Sequence, residues 1–420
     1  MRLLYTLTIL LYGLGIRVAS LFNRKAAQWI RGRDHLFKQL QAFRNSSPSR
    51  LIWFHCASLG EFEQGRTLIE RIRTVYPEHR ILLTFFSPSG YEIRKDYPLA
   101  GHVTYLPLDT PWNATRFVRM VRPDMVFFIK YEYWYHFLTA LHREHIPVYI
   151  TAAIFRRQQI FFRWYGSWFR QQLGRITCLF VQNESSLELL HRYGIKNARV
   201  CGDTRFDRVK AVAEHPQSFP LIGRFAGGHP LLMAGSTWPE DEELLFRLMD
   251  AKPGGVRFVI APHEVHPERI QSLMQKLGPA AVTYSSLSST GDISAGILVI
   301  DTIGMLSHLY QYATLVYIGG GFGKGIHNIL EAAAFSKPVL FGPNHLRFRE
   351  AGDLIHSGGA VSITSSGDLI REVRRLITDP AAYRLASDAC GTYVNTHTGA
   401  TARIIEFVQS NKCIENDQKN

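Results

Sequence analysis

Two short stretches of the chain carry side chains fit for group transfer. In the first, the apolar run Leu51–His55 leads into Cys56-Ala57-Ser58-Leu59-Gly60-Glu61, which sets a carboxylate in the first turn of the helix that follows a strand. A carboxylate so placed suits general-base removal of a hydroxyl proton. Ser58-x-x-Glu61 fits a capping box equally well, with Ser58 as N-cap and Glu61 at the third helical position, and both readings stay open. The second stretch, Thr314–Phe335, reads TLVYIGGGFGKGIHNILEAAAF. A buried strand ends in Gly319-Gly320-Gly321, Gly323-Lys324-Gly325 follows, and a helix is expected to open at about Asn328 with Glu331 one turn in. Five glycines within seven residues let backbone N–H groups approach an anion, and Lys324 adds a full charge. Neither a Walker A loop nor the first-strand glycine motif of dinucleotide enzymes has this order. Asn328 and Glu331 also fit a plain helix cap.

Two more loops follow expected strands and join this group. Gly235-Ser236-Thr237-Trp238-Pro239-Glu240 offers Ser236 and Thr237 as ligand hydroxyls, and Ala261-Pro262-His263-Glu264-Val265-His266-Pro267-Glu268-Arg269 offers Pro262 and His263. The spacing of His263, Glu264 and His266 is not that of a zinc-binding helix, and the flanking prolines make the segment a loop, so no metal is assigned. Aromatic clusters stand at Tyr131–Tyr135 and Phe161–Tyr165. With no nucleic-acid-binding motif beside them, they suit a membrane-facing or acceptor-facing patch better than stacked bases.

These residues need elements to hold them. Short β-branched or aromatic runs alternate with helix-length amphipathic stretches, which implies right-handed βαβ units and parallel sheets. Strands are expected at Leu51–His55, Ile81–Phe86, Val103–Leu106, Met125–Ile129, Val148–Thr151, Leu179–Gln182 and Ala198–Cys201. A second set falls at Leu231–Gly235, Arg257–Ala261, Ala281–Tyr284, Ile297–Asp301, Leu315–Ile318, Pro338–Phe341 and Ala360–Ile363. Between the sets the chain is rich in Pro, Gly and charge, and residues 206–230 read as a linker. The expected architecture is α/β: two Rossmann-like, doubly wound domains (51–205 and 231–410) with an interdomain cleft, and a polar tail over 411–420. In such sheets ligands bind beyond the carboxyl ends of the strands.

Residues 1–50 differ from the rest. Leu3 to Ile16 is almost continuously apolar, and Arg24, Lys25, Arg31, Arg33, Lys38, Arg44 and Arg50 follow with Asp34 the only acid. Charges after the apolar run, not before it, favour an uncleaved anchor or an interfacial helix with the remainder of the chain on the cytoplasmic side. A buried N-terminal helix is the competing reading. The whole chain has 420 residues, 46% hydrophobic and 20% charged, a balance that excludes disordered and fibrous classes. Its 48 basic against 35 acidic residues, net +13, call for an anionic partner. Five scattered cysteines without a CxxC pair fit buried thiols in a reducing compartment.

In order along the chain stand HCASLGE, KYEYW, GDTRFD, GSTWPEDE, APHEVHPER, IDTIGML and GGGFGKGIHNILEAAAF. Together with the apolar N-terminus, this series resembles the 3-deoxy-D-manno-octulosonic acid (Kdo) transferases of lipopolysaccharide synthesis. The resemblance implies a GT-B glycosyltransferase architecture and an inverting transfer of Kdo from CMP-Kdo to a lipid A precursor (lipid IVA) at the cytoplasmic face of the bacterial inner membrane. It implies Glu61 as general base, and Glu132 and Arg205 as stabilisers of the transition state. It also implies a CMP site involving Pro262 and His263, Ile303-Gly304-Met305, and Asn328 with Glu331. CMP-Kdo would be donor substrate with no separate cofactor, and anionic membrane lipids would be partners while nucleic acid would not. The chain departs from the family at Lys130, where the first glutamate of E-x-E-x-W is usual, at His263 for a usual Arg, at Met305 for a usual Glu, and over Ala152–Arg156. Competing readings are another GT-B enzyme, such as a nucleotide-sugar 2-epimerase or a lipid-linked GlcNAc transferase, and a non-catalytic membrane-surface protein.

Overall fold

The computed structural model describes residues 1–290 and 295–411. Cys413 and the expected tail beyond residue 411 lie outside the described residues. The chain divides into two compact units, Met1–Arg208 with the segment from Gly399, and Val209–Thr398.

The first unit is built on seven strands, β1 (Leu51–Cys56), β2 (Arg80–Phe85), β3 (His102–Tyr105), β4 (Met125–Ile129), β5 (Val148–Ala153), β6 (Cys178–Val181) and β7 (Ala198–Val200). They form one sheet in the order β3-β2-β1-β4-β5-β6-β7, with parallel pairing throughout. The central strands read as unbroken apolar runs because both faces are covered: every residue of β1, β4 and β5 is buried.

The second unit carries β8 (Leu231–Thr237), β9 (Arg257–Pro262), β10 (Ala281–Thr283), β11 (Ile297–Val299), β12 (Leu315–Ile318), β13 (Val339–Phe341) and β14 (Ala360–Ser362). Its sheet is also parallel, in the order β10-β11-β9-β8-β12-β13-β14. Each unit is thus doubly wound and Rossmann-like, the expected class. In each the strand order reverses at one point, between β1 and β4 and between β8 and β12, and ligands bind at such switch points.

The expected boundaries shift at both ends of the second unit. Residues 206–230, read as a linker, contain two helices, Thr204–Glu214 and Pro220–Ala226. Helix Ala400–Ser410, expected to close the C-terminal domain, packs instead in the first unit, where Ile404, Ile405 and Val408 enter the core beside Phe54 and Phe127. Its start is held by the Asp207 carboxylate, which accepts from Gly399 N and Thr401 N at 2.6 Å each. Arg403 donates to the Cys201 carbonyl at 2.7 and 3.0 Å. Hydrophobic spacing reveals that this helix has a buried face, but not which sheet covers it.

The N-terminal residues form α1 (Arg2–Ala19), α2 (Arg24–Arg31) and α3 (Leu36–Asn45). Helix α1 is long and apolar enough to cross a membrane by length and composition. One of its stripes nevertheless lies on the body of the first unit. Tyr5 donates to Asp109 Oδ2 at 2.6 Å, Thr6 Oγ1 is 2.9 Å from His136 Nε2, Tyr12 stacks on Phe86, and Gly13 is buried against Leu108. Asp109 is wholly buried and also accepts from His136 N and Phe137 N, so one carboxylate ties α1 to the start of helix Tyr135–Arg143. Burial pushes the Asp109 carboxyl up to about 6, against the three hydrogen bonds that favour its charge. Leu3, Leu4, Leu7, Leu10, Leu11, Leu14 and Val18 face outward, exposed.

Candidate active site

In the first unit, the loops after β1 and β4 bring two carboxylates to the switch point. Helix α4 (Leu59–Val75) begins three residues beyond β1, with Ser58 as N-cap and Glu61 in its first turn. The Ser58 hydroxyl makes no capping bond. The Glu61 carboxylate reaches back past the N-cap, accepting from Ala57 N, the residue before Ser58. Burial raises the Glu61 carboxyl to about 7, the nearby Glu132 charge adds to the rise, and the Ala57 and Ser58 amides and Lys130 oppose it. An acid that only capped a helix in water would stay near its ordinary value.

Glu132 follows β4 and is buried. Its Oε2 accepts from Trp134 Nε1 at 2.5 Å and lies 3.1 Å from His55 Nε2 on β1. His55 is wholly buried, with Nδ1 2.9 Å from Thr84 Oγ1. Lys130, in the place of the family's first glutamate, ends β4 with φ +65°, a left-handed conformation uncommon for a residue with a side chain. Ala152 on β5 (φ +56°) shares that conformation, and such backbone strain concentrates at functional loops. Arg205 is held by its neighbour: Asp203 Oδ2 accepts from its Nε at 2.8 Å while Oδ1 accepts from its backbone N at 2.9 Å. Thr204 Oγ1 donates to the Gln64 carbonyl at 2.6 Å, which pins this segment to α4, the helix that carries Glu61.

In the second unit, the loops after β8 and β12 meet around Asp241, which sequence reasoning passed over. Its buried carboxylate accepts from Trp238 N at 2.9 Å, Gly320 N at 2.8 Å and Tyr317 OH at 2.7 Å. Burial raises its pKa against those three bonds. The available signal was its place three residues after Trp238 at the start of helix Pro239–Asp250, where it completes a capping box. Glycines 319 and 321 are required by close approach. A Cβ on Gly319 would lie 2.7 Å from Thr237 Cα, and one on Gly321 would lie 2.5 Å from Gly342 N. Ser236 turns through φ +54°, and Thr237 Oγ1 donates to Glu242, which Arg269 also contacts.

Three rings stack beside this loop. His263 lies between Trp238, with centroids 4.7 Å apart, and His327, at 4.4 Å. His263 N donates to the Thr237 carbonyl at 3.0 Å, and Pro262 pairs with Thr237 at the end of the β8–β9 ladder. Trp238 Nε1–H donates to His327 Nε2 at 3.0 Å, which fixes that nitrogen as an acceptor. Burial, and then His263, lower the His327 pKa to about 4. Lys324 Nζ stands 6.0 Å from the Trp238 ring centre.

The other expected ligands take no part in the ring contacts of this stack. The helix expected at about Asn328 begins at Leu330 and runs only to Ala334. Asn328 donates to Glu331 Oε1 at 2.8 Å and accepts from Leu330 N at 3.2 Å. Ile303, Gly304 and Met305 follow β11, two strands from β8; Ile303 is 87% exposed, and Met305 is buried with Thr302 Oγ1 2.7 Å from its sulfur. His266 caps helix Pro267–Leu277 through Arg269 N and pairs with Glu264 and Glu268.

Residues 34–208 match the family model described as 3-deoxy-D-manno-octulosonic-acid transferase (kdotransferase). Among curated relatives of that same name, the protein of Rickettsia prowazekii is 29% identical, over 82% of this chain and 76% of its own. Those of Rickettsia bellii (28%, over 90% and 91%) and Bordetella pertussis (25%, over 92% and 93%) cover nearly both full lengths. The chain resembles the Kdo transferases over most of its length. The family match ends at Arg208, where the first unit gives way to the second, so Glu61, Glu132 and Arg205 all lie inside it. Solved structures similar to this chain include a UDP-N-acetylglucosamine 2-epimerase described as putative, from Listeria monocytogenes, with TM-score 0.60, 16% identity and coverage of 89% of this chain and 98% of that one. The UDP-GlcNAc 2-epimerase from Neisseria meningitidis, bound to UDP-GlcNAc, gives the same score and identity over 86% and 99%. At such identity these likenesses speak for the GT-B fold alone. The relatives that carry the transferase name imply a glycosyltransferase.

Proposed function

We propose that the enzyme transfers Kdo from CMP-Kdo to a lipid A precursor, lipid IVA, in lipopolysaccharide synthesis, with Glu61 as general base. In this reading the acceptor hydroxyl gives its proton to Glu61 as its oxygen bonds to the anomeric carbon of Kdo. The bond from that carbon to the CMP phosphate breaks on the opposite face, which inverts the centre and releases CMP. The observation that carries the assignment is the Glu61 carboxyl, raised to about 7 by burial beside Glu132 at the sheet's switch point. A base with a pKa near the working pH is available in its charged form and still takes a proton readily. Glu132, bonded to Trp134 and His55, and Arg205, braced by Asp203, are held where they can face the developing charge. The glycine loop, Ser236, Thr237 and the Trp238–His263–His327 stack of the second unit serve the nucleotide, mostly through backbone groups and ring faces. No cofactor enters this scheme.

Membrane attachment is part of the same proposal. Tyr5 and Thr6 are fixed to the globular body while the leucine stripe stays outside, which suits a helix lying in the cytoplasmic interface better than one crossing the bilayer. Freshly made CMP-Kdo and a tetra-acylated lipid A precursor test the assignment, with wild type compared to Glu61→Gln. Product from wild type and essentially none from a folded variant supports it. Equal activity would reduce Glu61 to a helix cap. Consumption of a different nucleotide sugar by wild type would keep the fold and discard the substrate.

A further inference from the structure

The first unit has a groove that the transfer reaction does not use. It lies between α3 and helix Pro111–Val121, with a volume of about 590 Å³. Its walls carry Arg44, Arg116, Arg119 and Arg122, and no carboxylate lines it. The arginines are steadied by uncharged partners: Arg44 donates to the Ser49 carbonyl at 3.0 Å, Arg116 lies 4.3 Å over the Phe37 ring, and Arg122 Nε donates to the Arg119 carbonyl at 3.1 Å. Only Arg119 meets an acid, Glu144 at 3.3 Å, and both are exposed. Four guanidinium groups around one cavity present forked N–H donors suited to a phosphate.

Position narrows the ligand further. Trp112 stands on the groove 71% exposed, an aromatic placed as at a membrane–water interface. The segment just before it, Leu108 and Asp109, is where α1 docks through Gly13 and Tyr5. A second cavity, lined among others by Gly13, Arg17, Asp34, Phe37 and Asn113, touches α1, α3 and helix Pro111–Val121. Helix Pro111–Val121 runs on toward the amino end of β4, whereas Glu61 follows the carboxyl end of β1, so the groove extends away from the reacting groups.

We propose that this groove seats the phosphodiester headgroup of an anionic phospholipid and forms a second, charge-reading membrane contact beside α1. It rests on the reading of α1 as an interfacial helix. With α1 supplying apolar attachment, the groove makes residence depend on acidic lipid. Each basic group near an anionic surface is worth ~1 kcal/mol, so removing two weakens vesicle binding roughly thirty-fold.

Flotation of the full chain with phosphatidylcholine vesicles, with and without phosphatidylglycerol, tests this, comparing wild type, Arg44→Gln/Arg119→Gln and a charge-matched control, Lys276→Gln/Arg371→Gln, in the second unit. The groove variant should lose about that factor on phosphatidylglycerol vesicles, match wild type on pure phosphatidylcholine, and keep Kdo transfer in detergent micelles. A loss no larger than the control's, or one that persists without phosphatidylglycerol, overturns the site. Titration with inorganic phosphate at constant ionic strength should show no saturable binding; saturation that the groove variant abolishes assigns the cavity to free phosphate and overturns the headgroup. Wild type that floats with neither vesicle removes both this proposal and the interfacial reading of α1, while transfer in micelles is judged separately.

Discussion

At the switch point of the first sheet stand two carboxylates, a histidine and a lysine with strained backbone; at that of the second stand glycines, hydroxyls and stacked rings. Both supporting sheets have seven parallel strands and differ in their division: two strands lie beyond β1 on one side and four on the other, whereas three lie on each side of β8. What differs is how each loop is held. The first site concentrates charge in a half-buried place, where desolvation and a like-charged neighbour make one acid a weak one. The second site spends its buried acids on fixing the loop, Asp241 through Trp238, Gly320 and Tyr317 and Glu242 through Thr237, and leaves backbone and ring surfaces for a ligand. Under the proposed function, the first arrangement suits moving a proton and the second suits holding a nucleotide.

Substitutions ought to divide the same way. Glu61→Gln keeps the size and an oxygen to accept from Ala57 N, and should lower the transfer rate on the order of 10²–10⁴-fold, with donor KM nearly unchanged. Gly321→Ala is the counterpart in the second unit, because its Cβ would meet Gly342 N at 2.5 Å. Overpacking of that kind costs ~1–3 kcal/mol, and should appear as a roughly ten- to hundred-fold higher donor KM. Steady-state kinetics with varied CMP-Kdo separates the two. A Gly321 variant with normal donor KM, or a Glu61 variant whose loss is all in KM, breaks the division of labour.

The pH profile is a milder probe of the same contrast. With Glu61 at about 7 and active when deprotonated, kcat/KM should rise about tenfold per pH unit below 7 and level off above it. The donor site should be flat over that range, since His327 at about 4 stays neutral. Product-inhibition constants for CMP between pH 6 and 8 check the second half; a tenfold drift would mean that a charged ring takes part in binding.

How far these sites were legible follows from what periodicity can encode. The strands could be read because each is covered on both faces and so appears as a bounded apolar run, as Met125–Ile129 does. The loops after them could be read as ligand sites, because open parallel sheets bind there. Asp241 was missed because a helix-capping acid looks the same whether it faces water or ties two loops together. His55 was missed because in sequence it is one more residue of a buried strand. Arg205 was singled out through the resemblance, and its fork to Asp203 depends on how the chain turns after β7. Helix Ala400–Ser410 was assigned to the wrong unit because an apolar stripe carries no label for its partner.

The smallest expected effect is thermodynamic, and its sign differs between the two units. In the first, Glu61 has a folded pKa of about 7 against 4.5 for an ordinary glutamate, so between these values the folded state holds more protons than the unfolded. Stability from this group is full below pH 4.5 and is lost as pH rises through 7, by on the order of 1–3 kcal/mol. In the second, His327 at about 4 against 6.5 gives an unfolded state that holds more protons, and stability rises with pH across 4 to 6.5. Glu61→Gln should therefore gain on wild type in thermal stability between pH 4.5 and 7.5, while His327→Gln should fall behind over pH 4 to 6.5. The differences in Tm at each pH cancel every other titrating group. A Glu61 difference that stays flat would place this carboxyl near its ordinary value and take away the reason to call it the base; a His327 difference of the Glu61 sign would put a charged imidazole where Trp238 Nε1–H needs an acceptor.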